Sequence, residues 1–228
     1  MAMKGKRLRL GIAAVLGVAT TAVLVLGPSP SAPVHTASAS TNDHTSAVEA
    51  KAEFQDAIQR LWVDHVTWTR LFIVSFVGEL PDLKATTDRL LQNQVDIGDA
   101  VKPFYGDAAG DQLTALLEEH ILTAADLLTA AKAGNDAAFQ QANEAWYANA
   151  RAIAGFLHEA NPRHWPLADM RQMMKDHLDL TLEEAAAQLS GDYAASIAVY
   201  DEVETEILHM ADMLSSGLIA QFPQEFAK

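Results

Sequence analysis

Six polar residues recur at nearly equal spacing along the chain, each at an apolar position of a different predicted helix. They are His65, Gln94, His120, Asn149, His177 and Glu206. The intervals 65–94, 120–149 and 177–206 are each 29 residues long, and a turn signal lies near the middle of each. Residues that are equidistant from a turn lie at the same height in an up-and-down bundle. The spacing therefore predicts one polar layer inside a bundle of about six helices.

Helical periodicity with short breaks continues from about Ala47 to the end of the chain. The predicted helices span about 47–79, 82–102, 108–133, 136–160, 166–189 and 192–220. Residues 71–77 are rich in β-branched and aromatic side chains, but they continue the amphipathic run before them and are assigned to the first helix. We therefore predict an all-α, up-and-down helical bundle that forms a single domain over residues 47–223.

An internal repeat with an offset of 57 residues relates two parts of this domain. Residues 116–121 match residues 173–178, and the same offset pairs Gly134 with Gly191. A duplicated helical hairpin explains the match. Duplication accounts for part of the equal spacing, but it does not explain why polar residues occupy core positions.

The first 39 residues have the pattern of an export signal. A basic start precedes an apolar run over residues 11–27, and a small-x-small cleavage site lies at Ala37-Ser38-Ala39. The alternative is an uncleaved membrane anchor formed by residues 11–27. Either interpretation predicts a protein that is secreted or held at the extracellular face of the cell envelope, with residues 40–46 as a polar leader.

Charge and composition exclude several partners and cofactors. Without residues 1–39, the chain has 12 Lys and Arg against 30 Asp and Glu, a balance that disfavours nucleic acid as a partner. The absence of cysteine excludes disulfides, a thiol nucleophile and covalently attached c-type haem. The sequence contains no glycine-rich phosphate loop, so a nucleotide cofactor is not expected.

The polar layer is the strongest candidate for a functional site. Each unpaired polar group in a core costs about 1–3 kcal/mol, so the six residues must satisfy one another or hold a ligand. Three nitrogens and one carboxylate suit one divalent or copper ion, with copper, zinc, iron and manganese not distinguished. The predicted metal ligands are His65, His120, His177 and Glu206, and the predicted orienting residues are Gln94, Asn149 and His209. His209 is included because the Glu-x-x-His spacing places it on the same helix face as Glu206.

Methionines close to the layer favour copper among these metals. Met173, Met174 and Met210 fall about one turn from the polar positions of the last two helices, and thioether sulfur is a possible ligand for copper. The alternative is that methionine at helical spacing serves as adaptable core packing.

The sequence is compatible with other functions. The layer could fix helix register in a metal-free interaction or scaffolding protein, and non-covalent haem could bind between histidine and methionine. A ferritin-like di-iron site would need a second Glu-x-x-His pair besides Glu206 and His209, and two further glutamates. Arg70 could bind an anion or form a surface salt bridge. The sequence does not indicate whether the protein is an enzyme. It also does not indicate a small-molecule substrate or the oligomeric state.

Three phrases of the chain resemble a known family. They are residues 64–70 (DHVTWTR), 90–98 (LLQNQVDIG) and 209–213 (HMADM). They resemble an exported all-helical family of Gram-positive bacteria, over residues 50–223. The resemblance implies an exported helical fold, ferritin-like or DinB-like in general appearance, and it implies no activity or catalytic residues.

Overall fold

Six α-helices joined by short turns make up the computed structural model, which describes residues 38–227. The helices are α1 (Ser38–Gly78), α2 (Leu83–Tyr105), α3 (Asp107–Lys132), α4 (Asp136–Ala160), α5 (Leu167–Ser190) and α6 (Tyr193–Gln221), and a 3₁₀ turn (Pro223–Phe226) follows them. No strand occurs between residues 38 and 227. The prediction of an all-α bundle with six helices is therefore confirmed.

Two helices extend beyond their predicted limits by three or more residues. α1 begins at Ser38 and includes the residues expected to form a polar leader, since no proline or glycine interrupts residues 38–47. α2 continues through Pro103 to Tyr105 and ends before Gly106, whose φ of 83° suits glycine. The predicted export signal lies outside the described residues except for its last two positions. In the part of the chain that is described, no helix is long and apolar enough to cross a membrane.

The helices form a closed bundle. Each packs against the next along the chain, α6 packs back against α1, and α1 also contacts α5. α2 and α3 approach each other closely where Gly98 faces Gly110, because a Cβ on either glycine would lie within 2.7 Å of the other's carbonyl oxygen. The closed arrangement directs one face of every helix into a shared core, which is where the polar layer lies.

The 57-residue repeat is visible in the helix caps. Asn135 caps α4 by accepting a hydrogen bond from the backbone N–H of Ala138, at 3.1 Å. Asp192 caps α6 in the same way, accepting from Ala195 at 3.1 Å. Asn and Asp are preferred at this position because their side-chain oxygens satisfy an otherwise free N–H of the first turn. The two hairpins α3–α4 and α5–α6 thus begin their second helices identically.

Candidate functional site

Three histidines from alternate helices meet in the core. His65 on α1, His120 on α3 and His177 on α5 are only 3, 3 and 4% exposed. The ring centroids of His65 and His177 are 5.7 Å apart, and those of His120 and His177 are 6.4 Å apart. The spacing of the sequence thus corresponds to one layer of imidazoles, which we call the histidine layer.

A polar residue on the following helix holds each ring at Nδ1. The three contacts are Gln94 Nε2 to His65 at 3.3 Å, Asn149 Oδ1 to His120 at 3.0 Å and Glu206 Oε2 to His177 at 3.0 Å. Gln94 and Asn149 are buried, and the side chain of Glu206 is 15% exposed. The six residues therefore form three pairs, in each of which a histidine is oriented from the next helix.

The hydrogen bonds of Asn149 define the tautomer of His120. Asn149 Nδ2 donates to the carbonyl oxygen of Leu116 at 3.0 Å, which turns Oδ1 toward His120. His120 Nδ1 must then be the donor, so its Nε2 carries a lone pair. Glu206 likewise accepts from His177 Nδ1–H, and a neutral His177 ring has its lone pair on Nε2.

Gln94 is arranged differently from Asn149. Its Nε2 donates to the carbonyl oxygen of Leu90 at 2.8 Å and lies 3.3 Å from His65 Nδ1. Its Oε1 is buried and has no hydrogen-bond partner in the described chain. Rotating the amide by 180° would place Oε1 against His65 Nδ1–H and give His65 the same tautomer as His120. The rotation would also turn Oε1 toward the carbonyl oxygen of Leu90 and Oδ1 of Asn93, to which Nε2 now donates.

Burial keeps two of the rings uncharged. Loss of solvation is the largest cause that lowers the pKa of His65, and the nearby His177 and His120 lower it further. Burial, followed by the proximity of His177, lowers the pKa of His120 to about 3. Both rings are therefore neutral near pH 7, and neutral imidazole is the form that binds metal ions.

The histidine layer is not a preformed metal site. Within residues 38–227, no three His, Asp or Glu side chains are placed so that they could hold an ion. Two imidazoles on one tetrahedral zinc ion have ring centroids about 5 Å apart, given Zn–N distances of about 2.0–2.1 Å. The separations of 5.7 and 6.4 Å are longer, so the rings would have to move inward to share an ion.

The remaining predicted site residues are three buried methionines and one exposed histidine. Met173, Met174 and Met210 are buried in the main hydrophobic core. The structure does not bring His209 into the layer, because this residue is exposed on α6.

Asn93 is a buried polar residue that the sequence analysis missed. It is fully buried, and its Nδ2 donates to the carbonyl oxygen of Leu61 at 3.0 Å. Asn149 makes the matching bond to Leu116, and each accepting carbonyl lies four residues before a histidine of the layer. A signal was present in the sequence, since apolar Leu90 and Ile97 flank Asn93 at helical spacing.

A second buried polar cluster continues from the histidine layer along α5. Four buried polar residues lie on one face of this helix, at positions 177, 181, 184 and 188. Arg70 Nη1 donates to Glu184 Oε1 at 2.7 Å, and Ser196 Oγ donates to Gln188 Oε1 at 3.1 Å. Burial raises the pKa of Glu184, while Arg70 opposes the rise. Arg70, considered above for anion binding or a surface salt bridge, is thus paired with a buried carboxylate.

Comparison with known proteins gives no relative from which a role could be transferred. No protein-family model, curated protein or solved structure matches this chain. The functional argument therefore rests on the residues of the histidine layer.

Proposed function

We propose that this protein is an exported helical bundle that binds one metal ion through His65, His120 and His177. The observation that carries the proposal is that each ring is engaged at Nδ1 from the following helix. His120 and His177 donate from Nδ1 and keep a lone pair on Nε2 for a shared ligand, and His65 does the same when the Gln94 amide turns its oxygen toward Nδ1. Buried imidazoles oriented through their other nitrogen by an amide or a carboxylate are typical of histidine metal sites.

Metal binding requires two adjustments of the layer. The rings must close from centroid separations of 5.7 and 6.4 Å toward about 5 Å. The Gln94 amide must also turn so that Oε1 faces His65 Nδ1–H, and this turn takes Nε2 away from the carbonyl oxygen of Leu90 at 2.8 Å and from Oδ1 of Asn93 at 3.2 Å. Metal binding has to offset the loss of these two hydrogen bonds.

Glu206 supports His177 in this proposal. Its carboxylate lies 3.0 Å from His177 Nδ1, in the position that Asn149 takes toward His120. Three imidazoles then leave a fourth coordination position for water or a small molecule. An ion with an open position can act as a Lewis acid or a redox centre, or can be stored and handed on.

The donor set favours a transition metal. Imidazole suits zinc, copper and iron, whereas magnesium and calcium prefer oxygen ligands. Copper is our first choice, because Met173, Met174 and Met210 lie about one turn from the layer in a chain without cysteine. Export is inferred from the basic and apolar segments of residues 1–39.

A metal-free role is the second candidate, and a specific observation favours it. No three donors in residues 38–227 are placed for an ion, and Gln94 Nε2 faces His65 Nδ1, which puts the proton of a neutral His65 ring on Nε2. In that case the layer would fix the register of the helices in an interaction or scaffolding protein at the cell surface. Buried polar groups fix register in this way in some helical assemblies.

Elemental analysis of the purified protein separates the two candidates. The protein is isolated without an affinity tag or chelator, and copper, zinc, iron and manganese are measured per chain. We expect about one equivalent of a single metal, lost in His120→Ala and in His177→Ala. His209→Ala is the matched control, because this histidine is exposed outside the layer.

Two outcomes would show that the histidine layer does not hold a metal ion. One is a metal-free protein that takes up none of these ions when they are added. The other is metal that the layer variants retain while His209→Ala loses it, which would place the ion on the surface.

A further inference from the structure

A surface pocket between α4 and α5 brings three basic side chains together. Its volume is about 320 Å³. We call it the basic pocket, and its lining residues are Tyr147, Ala150, Arg151, Arg171, Met174 and Lys175. Within the described chain, no acidic side chain lines it. This concentration of positive charge is unexpected in a protein that has 16 Lys and Arg against 30 Asp and Glu.

The two arginines of the basic pocket have no carboxylate partner. Six other Lys and Arg side chains between residues 38 and 227 form ion pairs, but Arg151 and Arg171 form none there. The helix positions three and four residues away from each of them also hold no acid. Both side chains are exposed. Their guanidinium N–H groups are therefore available to a bound anion.

Lys175 adds a third positive charge, which a neighbouring carboxylate offsets. Asp179, one turn further along α5, accepts a hydrogen bond from Lys175 Nζ and another from the Tyr147 hydroxyl. The Asp179 carboxylate raises the pKa of Lys175, so the ammonium group stays charged. The charges of Lys175 and Asp179 cancel, and the net charge at the pocket is that of the two arginines.

Two unpaired guanidinium groups on different helices match a doubly charged anion with several acceptor oxygens. A phosphate monoester has a charge of about −2 near neutral pH and three strong acceptor oxygens. A carboxylate has one charge and two oxygens, which a single arginine can occupy by bidentate contact. We infer that the basic pocket binds a phosphate dianion, either free or as the ester of a small organic group.

The size and floor of the pocket leave room for an organic group beside the phosphate. Small-molecule sites have volumes of about 300–1,000 Å³, and the basic pocket lies at the lower end of this range. Its lining includes apolar side chains of both helices, Ala150 from α4 and Met174 from α5, which are otherwise packed in the main core. An ester could therefore place its phosphate between the arginines and its organic part on this apolar surface.

Isothermal titration calorimetry of the chelator-treated protein tests the inference. The titrants are inorganic phosphate and phenyl phosphate, in low-salt buffer at about pH 8, where both are dianions. We expect both to bind, and we expect Arg151→Gln and Arg171→Gln each to raise Kd about tenfold by removing charge-assisted hydrogen bonds. Tighter binding of phenyl phosphate would identify an ester as the ligand, and equal binding would identify free phosphate.

Arg60→Gln is the matched control. Arg60 is also exposed and has no ion pair in the described part of the chain, but it lines a pocket on α1 together with Glu53, Asp56 and Asp64. Its substitution removes the same charge from the protein surface. Both Kd values should stay as in wild type.

Three results would overturn the inference. The first is that neither phosphate compound binds to wild-type protein at millimolar concentration. The second is that Arg151→Gln and Arg171→Gln bind as tightly as wild type, or no more weakly than Arg60→Gln. The third is that acetate binds as tightly as phosphate, which would show no preference for a dianion. None of these results bears on the histidine layer, because the chelator has removed any metal before the titration.

Discussion

Glu206 holds His177 by accepting a hydrogen bond from Nδ1 at 3.0 Å, across the interface of α5 and α6. This pair is the 57-residue counterpart of His120 and Asn149, whose contact has the same length. The duplicated hairpin therefore presents a histidine to a neutral amide in one copy and to a carboxylate in the other. The carboxylate brings the one negative charge of the six residues to the layer, where a bound cation would be attracted to it.

Replacing Glu206 by Gln should weaken metal binding without removing the hydrogen bond. The amide oxygen can still accept from His177, but the negative charge is lost. Replacement of such an orienting group typically lowers metal affinity about 10–100-fold. A competition titration against a chromogenic chelator measures the change.

Glu204→Gln is the control for this loss of charge. Glu204 is exposed on the same helix, and its replacement by Gln removes the same charge from the surface. We expect the metal affinity of the Glu204→Gln variant to equal that of wild type. An equal loss in both variants would mean that overall charge, and not the contact with His177, determines the affinity.

Replacing Asn149 by Ala should destabilise the metal-free protein. The substitution leaves His120 Nδ1–H buried without a partner and removes the side-chain hydrogen bond to the carbonyl oxygen of Leu116, which keeps its helical bond. The unpaired N–H and the lost hydrogen bond together cost about 2–4 kcal/mol of the free energy of unfolding. Urea denaturation measures it, with Gln140→Ala on the exposed face of α4 as a control expected within about 0.5 kcal/mol of wild type. Equal stability of the two variants would contradict the buried network.

The position of the layer could be predicted from sequence because helix geometry relates spacing to height. Equal intervals around a turn place two residues at one level, and apolar neighbours place both on the buried face. That reasoning located His65, His120 and His177 together with the residues that contact them.

Spacing alone does not determine which buried atoms bond to each other. Glu206 and His209 are three residues apart, yet Glu206 is mostly buried and His209 is exposed. Neighbouring Glu183 and Glu184 differ in the same way, because a step of about 100° turns one outward and the other into the core. The partner of Glu184 is Arg70, 114 residues earlier, and only the packing of α1 against α5 reveals that contact.

Acidification should destabilise the metal-free protein below about pH 6.5. Above pH 6.5, His120 is neutral in both the folded and the unfolded protein. Between pH 6.5 and its folded pKa of about 3, His120 binds a proton only in the unfolded chain. The free energy of unfolding therefore decreases as the pH is lowered, and His120 alone decreases it by about 2 kcal/mol at pH 5. The lowered pKa of His65 acts in the same direction, and the raised pKa of Glu184 acts against it.

Urea denaturation of chelator-treated protein at pH 7, 6 and 5 tests this dependence. His209→Ala should follow wild type, since His209 is exposed. A free energy of unfolding that stays constant or rises between pH 7 and pH 5 would show that the histidines are not held neutral.

Replacing Arg70 by Ala should destabilise the protein at pH 7 by about 3 kcal/mol. Glu184 is 1% exposed, and loss of the guanidinium 2.7 Å away leaves its carboxylate buried and unpaired. Without Arg70, the effect of burial on the pKa of Glu184 is no longer opposed, so the carboxyl group takes up a proton more readily as the pH falls. The difference in the free energy of unfolding between this variant and wild type should therefore narrow from pH 7 to pH 5, as measured by urea denaturation.

Two further variants serve as controls. Arg171→Ala removes an exposed arginine of α5 and should change the free energy of unfolding little. Arg70→Met combined with Glu184→Met should recover most of the stability that Arg70→Ala loses. A single Arg70→Ala variant as stable as wild type at pH 7 would show that Glu184 is already protonated in the core.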